Sequence, residues 1–122
     1  QPCCPPGSEP TLEVDYKPKG VTETIDGLPI YTIGQGEKAI IVVHDIFGVD
    51  SGRTYLICDQ LAEQGYHVFM PNFFRGDGYK ASDFSGILFL WRIIRRVKAH
   101  PWSNVYDDLY KRVFPYLESK GA

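Results

Sequence analysis

This sequence has no run long enough to cross a bilayer. Apolar stretches such as Ile87 to Trp91 fall far short of the roughly 20 residues that a spanning helix needs, so no membrane partner is expected. It also lacks a secretory signal with a charged start and an apolar middle. It has no basic excess: 13 Lys and Arg stand against 15 Asp and Glu, for a net charge of -2. That balance gives no case for a nucleic-acid partner. Cysteine is scarce, at three residues, and Cys3 and Cys4 are adjacent. An odd count with a vicinal pair is not a disulfide framework, and it points to a reducing, cytoplasmic setting. No His or Cys stands near that pair at ligand spacing, and no phosphate-binding glycine pattern occurs, so neither a metal nor a cofactor is expected. No Ser or Cys sits on a G-x-S-x-G-like elbow, and no complete set of nucleophile, base and orienter is visible.

What the chain does have is a packed core's worth of apolar residues. They make up 43% of 122 residues, enough for at most one small domain. Residues 1–21 open with four prolines in Gln1 to Pro10 and show no periodicity, so they read as a coil arm. Residues 22–122 read as one structural unit. Thr22 to Ile25 and Leu28 to Ile33 are β-prone runs, and Asp26-Gly27 between them signals a hairpin. Ala39 to Val43 (AIIVV) predicts a strand buried on both faces, as in a parallel sheet. Asp50 or Ser51 is placed to cap a helix over 52–64, with Ile57, Cys58, Leu61 and Ala62 on one face and Gly65 as its stop. On that face Cys58 reads as a small, inert hydrophobe. Tyr66 to Met70 supplies a second strand, which completes a right-handed βαβ unit.

Two more helices follow. Ser82 or Asp83 is placed to cap one over 84–98, with Phe84, Leu88, Trp91 and Ile94 along one side and Ile87 and Leu90 beside them. Its Arg92, Arg95, Arg96 and Lys98 suit the helix C-terminal dipole, with an anionic partner as the weaker reading. His100-Pro101 ends it. In the last helix Val105, Leu109, Val113 and Leu117 repeat every four residues, and Asp107–Lys111 and Asp108–Arg112 form i,i+4 pairs. Pro115 should bend or end that helix. The fold class is therefore α/β: an N-terminal hairpin, a parallel βαβ unit and three helices. The chain supplies few strands to flank the 39–43 run, so an open sheet edge is expected, with pairing to a missing half or self-association to cover it. Ligands of open α/β sheets bind outside the carboxyl ends of the strands, which draws attention to His44-Asp45. A carboxylate there could simply pin the turn by accepting loop N–H groups.

The stretch HDIFGVDSGRTYLICDQLAEQGYHVFMPNFFRGD resembles the dienelactone hydrolase family of α/β-hydrolases. The match is most specific at Asp45-Ile46-Phe47-Gly48, at Gln64-Gly65-Tyr66 and at Pro71-Asn72-Phe73-Phe74-Arg75-Gly76-Asp77, with Asn72 where the family usually has Asp. The resemblance implies ester or lactone hydrolysis through a Cys nucleophile on an elbow, completed by Asp and His. It also implies that this chain is the N-terminal half of such an enzyme, a partial α/β-hydrolase fold whose nucleophile strand lies beyond Ala122. By match, Asp45 contacts the nucleophile and the Ile46 N–H is an oxyanion-hole donor. Phe47 walls the pocket, Phe74 is a substrate-binding position, and Arg75 lies within one residue of a substrate-carboxylate-binding arginine. The alternative is a catalytically inactive half-domain that binds another protein through its open sheet edge.

Overall fold

The computed structural model describes residues 16–50 and 53–121. Cys3, Cys4, Ser51 and Gly52 lie outside the described residues. Strands β1 (Val21–Ile25) and β2 (Leu28–Ile33) form the expected hairpin, with Ile25 opposite Leu28. Asp26 and Gly27 both take positive φ, 49° and 81°, which is the backbone of a two-residue turn matched to strand twist. Strands β3 (Ala39–Ile41) and β4 (His67–Pro71) are parallel and flank helix α1 (Thr54–Glu63), as the βαβ reading requires. The four-stranded mixed sheet runs β1-β2-β4-β3, with β2 antiparallel to β4.

Strand β3 is shorter and less buried than its composition suggests. Regular pairing ends at Ile41, although the Val42 N–H still donates to the Phe69 carbonyl at 2.8 Å. Ala39 is exposed, Ile40 to Val42 are half-buried and Val43 is 59% exposed. The reason is position. It is β4, with Val68, Phe69 and Met70 fully buried, that lies between two strands, while β3 is the sheet's edge.

Alternation along β2 and β4 divides the core in two. Leu28, Ile30 and Phe69 face one side and pack with Val105, Val113, Tyr116 and Leu117. Tyr31, Val68 and Met70 face the other and pack with Cys58 and Val49. On α1 the expected face is partly shifted: Cys58 is buried, but Ile57 is 50% exposed. Arg53 stands at the N-cap without a side-chain cap, and Asp50 instead accepts the Tyr55 hydroxyl at 3.4 Å.

The last helix is continuous from Trp102 to Ser119 but changes pitch. Helix α3 (Trp102–Asp108) passes through a π-helical turn (Leu109–Val113) into α4 (Phe114–Ser119). Pro115 has no N–H for the preceding turn, and widening that turn absorbs both the missing bond and the ring. The widening has a second effect. Apolar residues spaced by four drift about 40° per step around an ideal 3.6-residue helix, and a π turn removes part of that drift. Val105, Val113 and Leu117 thus all reach the core.

Helix α2 (Phe89–Ala99) departs most from expectation. It begins five residues late, after a 3₁₀ turn (Ala81–Phe84) and a reversal at Gly86, where φ is 86°. Its apolar side faces outward: Leu88, Leu90, Trp91, Ile94 and Val97 are 45–60% exposed. The side toward the protein is led by Arg96, which is buried at 6% exposure. The Arg96 guanidinium donates to the Asp77 carboxylate at 2.7 Å and to the Asp77 carbonyl at 3.1 Å. Its Nε lies 2.7 Å from the Asp83 carboxylate, an ion pair whose N–H is not aligned for a hydrogen bond. Buried charge pairing, rather than apolar packing, therefore sets the rotation of this helix.

Candidate functional site

Two loops meet at the carboxyl ends of β3 and β4, residues 44–50 and 72–80. His44 joins them. Its Nδ1–H donates to the Asp45 carbonyl at 2.7 Å, and its Nε2 accepts the Phe73 N–H at 3.1 Å. These two partners define the neutral Nδ1–H tautomer. The ring also packs edge-on against Phe74, centroids 4.9 Å apart. A second tie runs from the Tyr79 N–H to the Ile46 carbonyl, at 2.7 Å. The buried Gly78 completes the junction, because a Cβ there would sit 2.3 Å from the Phe47 carbonyl.

Asp45 folds its own loop. Its Oδ1 accepts the Phe47 N–H at 2.8 Å, and its carbonyl accepts the Gly48 N–H at 3.1 Å. This is the turn-pinning arrangement expected of a carboxylate at this place. Between these bonds the Ile46 N–H has no hydrogen-bond partner among the described residues. Asp45 and Ile46 border a mostly apolar cleft of about 330 Å³, with Val43, Phe74, Tyr79, Val97, His100 and Trp102 around it. Phe74 stands in its wall between His44 and His100, whose ring centroid is 4.7 Å away. Phe47 is not among the residues lining the cleft.

Arg75 turns the other way. With φ at 52°, it aims its guanidinium at Asp108 of α3, with two bonds of 3.0 and 2.9 Å. Asp108 is 3% exposed and also accepts from Arg112 at 3.0 Å. The Asp108 carboxylate raises the Arg75 pKa, so this cation is committed to its partner. Asn72 closes the loop behind it by accepting the Gly76 N–H at 3.3 Å. On the far rim, His100 Nε2 lies 2.8 Å from the Asp77 carboxylate. His100 and then Arg96 hold the Asp77 pKa below its ordinary value. The Asp83 pKa is also lowered, first by the Lys80 backbone N–H and then by Arg96.

A second polar cluster lies on the α1 side of the sheet. Asp59, 1% exposed, accepts the Tyr16 and Tyr31 hydroxyls and the Lys19 N–H. Its carboxylate pushes the Tyr16 phenol up to about 12. Burial first, and then Asp59, raises Tyr31. Among the described residues no group of His, Cys, Asp and Glu could hold a metal ion.

Sequence reasoning brings Asp45, Ile46 and Phe74 to one cleft, and the structure places them together there. It missed the bridging role of His44, His100 and Asp77 at the rim, and the Arg75–Asp108 pair. Only the position of His44 at a strand end carried any signal for these.

A mixed sheet with helices on both faces, and a ligand-sized cleft beyond its parallel strands, defines an α/β protein with a site at the carboxyl edge. The family model for the dienelactone hydrolase family matches residues 25–114, and this chain belongs to that family. The family carries the α/β-hydrolase fold. The chain is 34% identical over 64 residues to the hydrolase tropI of Talaromyces stipitatus, which is 49% of this chain and 25% of that protein. It is 33% identical over 76 residues to a carboxymethylenebutenolidase homolog of Xenopus tropicalis, 60% of this chain and 31% of that protein. The chain thus spans about a quarter to a third of the length of these curated relatives. No solved structure matches it. No helix among the described residues is long and apolar enough to cross a membrane.

Proposed function

We propose that this chain supplies the oxyanion-hole loop and one wall of the substrate pocket in a dienelactone hydrolase-like enzyme. The reaction is hydrolysis of an ester or lactone in a cytoplasmic setting. The nucleophile is a Cys on a segment beyond residue 122. One observation carries the reading: the Ile46 N–H has no partner among the described residues, on a loop clamped on both sides beside the cleft. An oxyanion donor must be fixed in advance, and losing one costs on the order of 100- to 1000-fold in rate. The Asp45 turn and the Tyr79–Ile46 bond supply that fixation. The apolar cleft suits a carbon-rich acyl group, and the relatives' names, a hydrolase and a carboxymethylenebutenolidase homolog, point the same way. Arg75 pairs with Asp108 and does not line the cleft, so this reading gives it no substrate contact there.

Two substitutions in the complete enzyme test the role of Asp45. Asp45→Asn keeps an acceptor for the Phe47 N–H but removes the charge; Asp45→Ala removes both. A carboxylate that acts on the nucleophile predicts a large fall in turnover for both variants, with thermal stability little changed in Asp45→Asn. Wild-type turnover in Asp45→Asn would reduce Asp45 to a turn-pinning residue.

A second reading rests on the outward edge of β3, which pairs with nothing among the described residues. In that reading the chain is an inactive half-domain that binds a protein partner by strand addition. A natural mass near 13.8 kDa in the cell favours it, and one about twice that favours the enzyme.

A further inference from the structure

We propose that helix α2 seats this protein flat on an anionic membrane surface. The inference does not depend on the hydrolase reading. It starts from the inverted rotation of the helix, whose polar side is bound inward through Arg96 while its apolar side stays open. Around the helix, Val97, Leu90, Ile94 and Trp91 fall within one arc at 100° per residue, and Ile87 just before the helix is 99% exposed. Two exposed cations share that face: Lys98 falls inside the arc and Arg95 on its flank. Arg95 lies over the Trp91 ring, 5.6 Å from its centroid. The segment Phe89–Ala99 carries four cations and no anion.

That pattern selects the occupant. Two copies of this helix packed face to face would bring Arg95 and Lys98 against like charges, with no carboxylate on either helix to answer them. A bilayer rich in anionic headgroups answers both features at once. It takes up Leu90, Trp91 and Ile94 at the level of the acyl boundary, and it attracts the cations that snorkel to the headgroups. The sequence excluded a membrane-spanning helix, and a helix lying in the interface needs none of that length.

A second apolar stripe extends the surface. Trp102, Tyr106, Tyr110 and Phe114 recur every four residues on the outer side of the last helix and are 37–70% exposed. Tyr106 stacks near Tyr110 at 5.1 Å, and Tyr110 near Phe114 at 5.3 Å. Amphipathic rings of this kind concentrate at membrane–water boundaries. The two stripes approach each other at the mouth of the cleft, where Val97 and Trp102 both line the rim. Docking there would turn the cleft toward the lipid phase.

The test is co-sedimentation of the natural full-length protein with phosphatidylcholine vesicles, with and without added phosphatidylserine. Binding is expected only with the anionic lipid, with release in high salt and a blue shift of tryptophan fluorescence that Trp91→Phe diminishes. Arg95→Ala and Lys98→Ala should each weaken binding about fivefold. Leu90→Glu with Ile94→Glu should abolish it while leaving the circular dichroism spectrum unchanged, since neither side chain belongs to a core cluster of the described residues. The proposal is overturned by failure to bind, or by equal binding to neutral and anionic vesicles. It is also overturned by a stable dimer, or a soluble protein complex, that Leu90→Glu dissociates.

Discussion

At the residue scale, neighbours decide what each polar group can do. His44 and Asp45 follow a strand and Asp108 lies within the last helix, and each has a different task because each meets different atoms. Cys58 shows the same rule for a thiol. It is fully buried beside Met70, with its Sγ 3.9 Å from the Met70 sulfur, and burial pushes its pKa up to about 11. A thiol becomes nucleophilic only as the thiolate, so Cys58 should resist a disulfide reagent near pH 8 while the chain is folded. Mass mapping of the labelled protein checks this. Rapid native labelling at Cys58 would show that α1 opens away from the sheet.

At the scale of elements, the loops beside the cleft are held by contacts that tolerate little added volume. Gly78→Ala would press a methyl group against the Phe47 carbonyl, 2.3 Å from an ideal Cβ. Over-packing of this kind typically costs about 1–3 kcal/mol. The expected result is a lower melting temperature together with a disproportionate loss of activity, as the Asp45–Phe47 turn is displaced. An unchanged melting temperature in Gly78→Ala would mean that the two loops yield freely. Local signals made the hairpin, the βαβ unit and the Val105–Leu117 stripe legible in the sequence, since each lives in a few neighbouring residues. The edge position of β3 was not legible, because five apolar residues read alike at the centre and at the margin of a sheet. The rotation of α2 was hidden for another reason. Its apolar stripe argued for one orientation, and ion pairs from Arg96 to Asp77 and Asp83, across separations of 19 and 13 residues, imposed the opposite one. The π turn had a faint signature, a spacing of four where 3.6 is ideal, with Pro115 close behind.

For the whole molecule, the open edge and the loosely held helix are the main consequences. The His67 N–H donates to the Lys38 carbonyl and the Val42 N–H to the Phe69 carbonyl, so even-numbered residues of this strand face β4 and odd-numbered ones face outward. Hydrogen exchange on the isolated 122-residue chain should therefore alternate, with Ile40 and Val42 protected and Ala39, Ile41 and Val43 fast. Strong protection of all five in a demonstrated monomer would mean that the edge is satisfied within this chain, against both functional readings. Helix α2 contributes no residue to either core cluster. Arg92 ties it to the Ser82 and Ser85 carbonyls, and Arg96 ties it to Asp77 and Asp83, whose pKa values are both lowered in the fold. Their stabilising effect is present above the ordinary carboxylate range and is lost as pH falls through the lowered folded values. Pepsin in increasingly acid buffer should then cut within Phe89–Ala99 before it reaches β4, whereas simultaneous cleavage would contradict that order. A helix tethered by charge lets go in acid while a sheet held by packed side chains does not, so acidity should loosen one face of this protein and leave its core intact.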